Sequence, residues 1–143
     1  MHSILILQIM RTKLLAILVV CPLLAKAQLD VTITPLNRIG QKAVVELTLT
    51  NNIFEMVDSA RAVVFLLDGQ GKVVGQATRW VIGGAPGKPG LEPKATNSFH
   101  FVITSSKLLE STNLTAKVVF TRLVLEGGKS VDPKKNVIVK EGR

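Results

Sequence analysis

Residues 60–84, ARAVVFLLDGQGKVVGQATRWVIGG, decide the fold of this chain. Two runs rich in Val, Leu, Ile and Phe flank the sequence Asp-Gly-Gln-Gly. Branched and aromatic side chains favour a pleated, half-buried strand, and glycines supply the backbone angles of a tight turn. The segment therefore predicts a β-hairpin at the centre of a sheet. Gly75, in the second run, indicates a bulge or a change of direction.

The first strand of this hairpin is apolar on both of its faces. Alternate positions place Ala62, Val64 and Leu66 on one face, and Val63, Phe65 and Leu67 on the other. This pattern is typical of a strand that is covered on both sides. We therefore expect the strand to lie in the interior of the protein.

Strand-like runs separated by turn signals recur along the rest of the chain. They occupy residues 29–34, 43–50, 97–104, 114–126, 129–131 and 137–140. The sequence GGAPGKPG at 83–90 is too rich in Gly and Pro for strand or helix, and its length suits a crossing between sheets. We predict that residues 105–111 form a connection between strands that contains a helical turn. The pattern predicts an all-β, immunoglobulin-like β-sandwich of about seven strands with Greek-key connections, and a small closed barrel is the alternative.

The first 27 residues differ from the rest in composition. Arg11 and Lys13 precede an apolar run at 14–24, and Ala25 and Ala27 form a small-x-small cleavage pattern. These features predict a signal peptide that is cleaved after Ala27. The apolar run is shorter than the roughly 20 residues that span a bilayer, so no transmembrane segment is expected after processing.

The prediction divides the chain into a signal peptide, 1–27, and one domain, 28–143. The alternatives at the N-terminus are an uncleaved membrane anchor, a buried core helix and a bacterial lipoprotein with its lipid on Cys21. A lipoprotein signal needs a small residue before the cysteine, and Val20 stands there. We therefore predict a secreted or periplasmic protein. Met10 competes with Met1 as the start, because a complete signal follows it.

The composition restricts the classes of partner and of chemistry. The formal net charge is +8, and loss of the leader would remove three of the basic residues. The remaining basic residues are mostly spaced singly, which excludes the basic stripe of a nucleic-acid-binding protein. Cys21 is the only cysteine, so the processed chain would have neither a disulfide nor a thiolate. Aromatic residues make up 4% of the chain and Tyr is absent, which predicts an aliphatic core.

The sequence lacks the motifs of the common catalytic and nucleotide sites. The acids are dispersed without an Asp-x-Asp pair, and no metal or other cofactor is predicted. His100 is the only histidine after the leader and lies on the polar face of a predicted strand. The glycine-rich segment at 83–90 precedes a strand and lacks the helix N-terminus that binds phosphate. The chain is therefore predicted not to be an enzyme.

Trp80 is the only tryptophan and lies close to the flexible segment at 83–90. Tryptophan is frequent at binding hot spots, so Trp80 and the basic residues Arg79 and Lys88 are the predicted partner contacts. The predicted function is an exported protein-interaction module of the bacterial envelope, whose partner is another envelope or extracellular protein. A carbohydrate- or cell-wall-binding module is the alternative, and a subunit of a larger envelope assembly is the third hypothesis.

The order of these features resembles a known family group. An Asn pair after a strand, the sequence VFLLDGQGKVV at 64–74 and the sequence Phe-His-Phe at 99–101 resemble the FxLYD-type and related immunoglobulin-like domains of exported bacterial proteins. The family's Phe falls on Val64 and its Tyr on Leu67. The resemblance covers residues 43–120 and implies an immunoglobulin-like fold in an exported protein. It implies no catalytic residues.

Overall fold

The computed structural model describes residues 27–142, and this part of the chain consists mostly of β-strands. Its strands are β1 (Leu29–Ile33), β2 (Asn37–Ile39), β3 (Lys42–Asn51), β4 (Val57–Leu67), β5 (Val73–Ile82), β6 (Thr96–Thr104), β7 (Thr115–Leu125), β8 (Lys129–Val131) and β9 (Val137–Glu141). Its helical segments are two 3-10 turns, Ser106–Leu109 and Glu126–Gly128, and the short helix α1 (Pro133–Asn136). The predicted all-β class is confirmed, and the described residues form nine strands where about seven were predicted.

Residues 1–26 of the predicted signal peptide, which include Cys21 and Ala25, lie outside the described residues. Ala27 is the first residue that the structure describes. None of the helices in residues 27–142 is long and apolar enough to cross a membrane.

The strand that the sequence did not predict is β2. All three of its residues are exposed, so they carry no alternation that marks a strand. The strand forms because it pairs with the start of β3, from Asn37 opposite Val44 to Ile39 opposite Lys42. Its existence therefore depends on its neighbour more than on its own residues.

The strands form two sheets. In the five-stranded sheet, β3 lies between β6 on one side and β1 and β2 on the other, and β9 pairs in parallel with β1. In the four-stranded sheet the order is β5-β4-β7-β8, and each neighbouring pair is antiparallel. Strand β4 is thus interior to its sheet, while β5 lies at an edge.

The predicted hairpin is confirmed, because β4 and β5 pair in antiparallel fashion, but its expected place at the centre of a sheet is wrong for β5, which is an edge strand. Asp68 closes the turn between them: its Oδ1 accepts hydrogen bonds from the backbone N–H groups of Gln70 and Lys72, each at 2.9 Å. The predicted irregularity is also present, since the register with β4 shifts at Val74, beside Gly75.

The predicted crossing at 83–90 is confirmed, because β5 and β6 belong to different sheets. Gly83 and Gly84 begin it with φ angles of 53° and 82°, which favour glycine. A Cβ atom at Gly83 would overlap the backbone oxygen of Asp58. Glycine is therefore required for the sharp departure from β5.

Buried side chains from both sheets form one hydrophobic core. The five-stranded sheet contributes Val31, Val45, Leu47, Phe101 and Ile103, and the four-stranded sheet contributes Ala62, Val64, Leu66, Val118 and Phe120. Leu108, in the predicted helical turn, is also buried there. The core is mostly aliphatic, as the composition predicts.

The expectation that β4 is covered on both faces is wrong for the described part of the chain. Val64 and Leu66, which point to the core, have no exposed surface. Val63, Phe65 and Leu67, which alternate with them, are only half-buried. Two sheets that share one core have one interface, so β4 from Val63 to Leu67 is fully covered on its inward face alone.

Candidate functional site

The outward side of the four-stranded sheet presents a regular array of side chains, which we call the β4 face. The pairing register places them in four rows, each in the order β5, β4, β7: Trp80, Arg61 and Arg122; Thr78, Val63 and Val119; Gln76, Phe65 and Lys117; Val73, Leu67 and Thr115. Because successive side chains point to opposite sides of a strand, the rows lie opposite the core-facing residues.

An apolar column runs along the middle of the β4 face. Its members are the half-buried residues Val63, Phe65 and Leu67 of β4. Val119 on β7 and Val73 on β5 flank the column and are 39% and 42% exposed. Side chains directly opposite one another on paired strands lie about 5 Å apart, so the five residues form one contiguous apolar surface. Contiguous apolar surface is typical of interaction sites, so these residues are a candidate interaction surface.

The charged residues of the β4 face are all basic. Its four rows contain Arg61, Arg122 and Lys117 and include no carboxylate. The guanidinium carbon of Arg61 lies 6.0 Å from the centroid of the Trp80 ring, a distance at which a cation–π interaction forms. The apolar column is therefore accompanied by positive charge, which favours an acidic partner surface.

The structure separates the three predicted contact residues. Trp80 lies on the β4 face, whereas Arg79 is directed to the opposite side of β5 and donates from Nη1 to the backbone oxygen of Thr78 at 2.9 Å. Lys88 donates from Nζ to the backbone oxygen of Trp80 at 3.3 Å and lies 5.3 Å from the ring centroid of Phe99. Lys88 therefore contacts the backbone of Trp80, and the three side chains do not form one cluster.

The indole ring of Trp80 is engaged within the protein. Besides the guanidinium of Arg61, the backbone of Gly84 packs against the ring, because a Cβ atom at Gly84 would overlap it. Trp80 is half-buried as a result. The ring is one margin of the β4 face rather than an isolated exposed platform.

Sequence reasoning did not single out the apolar column as a functional surface. The signal was present in the apolar residues on both faces of β4, which were expected to be covered. A second signal was Val119, which shares the wet side of β7 with Lys117. A strand that meets only water would carry polar side chains at these positions.

A cavity of about 550 Å³ lies at the end of the molecule where β1, β2, β7 and β9 meet. Its lining consists of Ile33, Thr34, Pro35, Leu36, Arg38, Asn113, Leu114, Thr115, Ala116, Glu141 and Gly142. Arg38 is held beside it by a hydrogen bond from Nη1 to the backbone oxygen of Ser111. The sequence did not predict this cavity because its lining comes from three distant stretches of chain.

Titratable side chains are dispersed over the described residues. Within 27–142, no group of three or more His, Cys, Asp or Glu residues is placed to hold a metal ion. His100 points outward from β6, as predicted, and its Nε2 lies 3.1 Å from Oε2 of Glu46. The His100 side chain is 58% exposed, so the pair lies on an open sheet surface.

No protein-family model matches this chain, and no curated protein matches it. Solved structures do resemble it in backbone. IrmA from Escherichia coli superposes with a TM-score of 0.53 at 10% sequence identity, over 82% of this chain and 95% of that chain. This likeness concerns the fold alone.

Two further structures give similar superpositions. A Bordetella pertussis protein designated ApaA has a TM-score of 0.49 at 17% identity, over 75% of this chain and 89% of its own. The structural-genomics target SoR45 has a TM-score of 0.48 at 12% identity, over 74% of this chain and 77% of its own. At these identities no activity, ligand or site is transferred to this chain.

Proposed function

We propose that this chain is an exported, non-catalytic protein-interaction module of the bacterial envelope, which binds its partner through the β4 face. The observation that carries the proposal is the half-buried apolar column Val63, Phe65 and Leu67, which lies beside Arg61 and Lys117. The partner is a protein with an apolar patch bordered by acidic side chains. Apolar contact provides affinity, and the complementary charges orient the encounter.

The proposal includes an immunoglobulin-like β-sandwich related to the FxLYD-type domains. The shared core of the two sheets and the crossing of the chain between them support a sandwich. The first strand supports the immunoglobulin-like order, because β1 pairs in antiparallel fashion with β3 and in parallel with the last strand, β9.

Export is the second part of the proposal. It rests on the basic start, the apolar run and the cleavage pattern around Ala25 and Ala27. Cleavage there leaves Gln28 as the first residue, and N-terminal sequencing of the exported protein tests this.

The chemistry of the β4 face favours a protein partner over a polysaccharide. Sugar-binding surfaces use exposed aromatic rings as stacking platforms, whereas this column is formed by Val, Leu and one Phe. The one indole available, Trp80, is engaged with Arg61 and Gly84. Aliphatic and aromatic residues beside arginine are typical of the centre of a protein–protein interface.

Site-specific photocrosslinking in the native envelope tests the proposed surface. We replace Val119, on the β4 face, by p-benzoylphenylalanine, and in a matched variant we replace Ser98, which is exposed on the outward side of β6. We expect a covalent adduct from position 119 that is absent from position 98. Adding Phe65→Ser or Lys117→Glu should reduce its yield at least several-fold.

Two results would overturn this assignment. One is an equal adduct from both positions, and the other is an adduct from position 119 that Phe65→Ser leaves unchanged. Binding to a glycan array that Trp80→Ala abolishes and Phe65→Ser does not would instead support the carbohydrate-binding alternative.

A further inference from the structure

Strand β5 has a free edge, because within the described residues it pairs only with β4. An edge strand presents unpaired backbone N–H and C=O groups that another strand can join. In an antiparallel strand the backbone groups of alternate residues point to the same side. The carbonyl oxygens of Thr78 and Trp80 point to the free side, since they accept hydrogen bonds from the side chains of Arg79 and Lys88. By alternation, the N–H and C=O groups of Gln76 point there too.

Side chains of this same chain occupy the free edge. Arg79 donates from Nη1 to the carbonyl oxygen of Thr78 at 2.9 Å, and Lys88 donates from Nζ to that of Trp80 at 3.3 Å. At the other end of the strand, the Ser105 hydroxyl donates to the carbonyl oxygen of Val74 at 2.9 Å.

The occupied positions leave a short opening in the middle of the edge. A gap of about 500 Å³ lies between β5 and β6, lined by Gln76, Ala77, Thr78 and Arg79 on one side and by Val102, Ile103 and Thr104 on the other. At one end the strands converge, because a Cβ atom at Gly75 would lie 3.1 Å from Cγ2 of Ile103. Beyond Trp80, Lys88 bridges to the ring of Phe99. The backbone of Gln76 is thus the part of the edge that these caps leave open.

We propose that Arg79 and Lys88 close the β5 edge against β5 of a second copy of this chain. Each cation occupies an outward carbonyl that an incoming strand would need. Two copies of β5 would also bring two arginines to one seam, and the strand contains no carboxylate to offset them. Charged side chains placed on an edge are a recognised means of preventing edge-to-edge pairing.

A second copy is the occupant that fits this edge. Strand β5 has ten residues, and two such strands can pair in antiparallel fashion about a two-fold axis. The pairing would join two four-stranded sheets into one sheet of eight strands and would make their two β4 faces continuous. The proposal concerns the edge of the sheet and stands independently of what binds the β4 face.

The double variant Arg79→Ala/Lys88→Ala tests the proposal by sedimentation velocity over a wide range of protein concentration. We expect the wild type to remain monomeric and the double variant to dimerise, with a self-association constant raised roughly tenfold or more. Hydrogen exchange at the amides of Gln76 and Thr78 should slow in the variant as its concentration rises. Arg122→Ala is the matched control, because it removes a cation from the β4 face and leaves the edge capped.

Two additions to the double variant distinguish the edge from the β4 face. Gln76→Pro removes an N–H on the free side without removing a ladder hydrogen bond to β4, so it should restore the monomer. Phe65→Ser should leave the dimer intact. The proposal would be overturned if Phe65→Ser dissociates the dimer and Gln76→Pro does not. It would also be overturned if the double variant has the wild-type circular dichroism spectrum and stays monomeric. Arg79 and Lys88 are both exposed, so the double variant carries little risk to folding.

Discussion

The two sheets of this protein share one core but present different outward faces. On the five-stranded sheet the outward positions form what we call the β3 face. Two of its rows, each in the order β6, β3, β1, β9, are Thr96, Thr50, Asp30 and Ile138, and Ser98, Thr48, Thr32 and Lys140. On the four-stranded sheet the corresponding positions form the β4 face, with its apolar column. The difference shows that an apolar inward face of a strand does not determine whether its outward face is polar or apolar.

The β3 face is polar along the rows from Thr50 to Glu46, where the side chains contact one another or the solvent. Its exposed apolar residues, Val102 and Ile39, lie towards the other end of β3, on the neighbouring strands β6 and β2. The hydroxyl oxygens of Thr50 and Thr96 lie 3.0 Å apart, and His100 pairs with Glu46 two rows further along the same two strands. On the β4 face the apolar residues instead follow one another along one strand, from Val63 to Leu67, and the apolar area that they leave exposed costs about 25 cal/mol per Å². A partner that covers this area recovers that free energy, which is the physical reason for assigning binding to the β4 face.

The largest effect is expected from comparing the two sides of β4 itself. Leu66 is fully buried in the core, whereas its neighbour Leu67 is half-buried on the β4 face. Leu66→Ala should lower the free energy of unfolding by about 2–5 kcal/mol, because it leaves a cavity. Leu67→Ala should lower it by roughly 1 kcal/mol, because the site is open to solvent. Urea denaturation measures both, and equal losses would show that both faces of β4 are covered.

A smaller effect is expected when the β4 face is given the chemistry of the β3 face. The double variant Val63→Thr/Phe65→Thr removes half-buried apolar area. It should remain a strand, because threonine favours strands. The free energy of unfolding should fall by about 1–2 kcal/mol. Fluorescence of a hydrophobic dye bound to the folded protein should decrease. Thr48→Ala, on the β3 face, is the control and should leave dye binding unchanged; a decrease of equal size in the control would remove the distinction between the faces.

The smallest effect is expected on the β3 face. His100→Ala removes the pairing with Glu46, whose side chain is 37% exposed. Exposed pairings of this kind contribute at most about 0.2–1 kcal/mol, because water competes with them. The variant should therefore unfold within about 1 kcal/mol of the wild type in urea. A loss comparable with that of Leu66→Ala would mean that the polar surface is essential to the fold.

Much of the fold was predictable from local sequence. The turn at Asp68, the bulge beside Gly75 and the crossing at 83–90 were predictable because glycine, proline and short polar side chains act on the backbone near them. The pairing of β2 with β3 and the parallel pairing of β9 with β1 were not predictable. Both depend on strands that are distant or short, and neither strand's own residues specify its neighbour.

The candidate site was predictable only in part. Trp80 was singled out as a rare aromatic residue near a flexible segment, and it lies at the margin of the β4 face. Arg79 and Lys88 were singled out as its basic neighbours, but the structure engages both with backbone oxygens of β5. The side of the strand on which a residue projects depends on register, and register depends on pairing.

By itself, the sequence determined that β4 is a strand with apolar residues on both faces, because period-two alternation and branched side chains act locally. Only the tertiary structure decided which of those two faces is covered. The two faces are equally apolar, so nothing within the strand distinguishes them, and burial goes to the face that meets the second sheet. The face left over, from Val63 to Leu67, is the surface to which the proposed function is assigned.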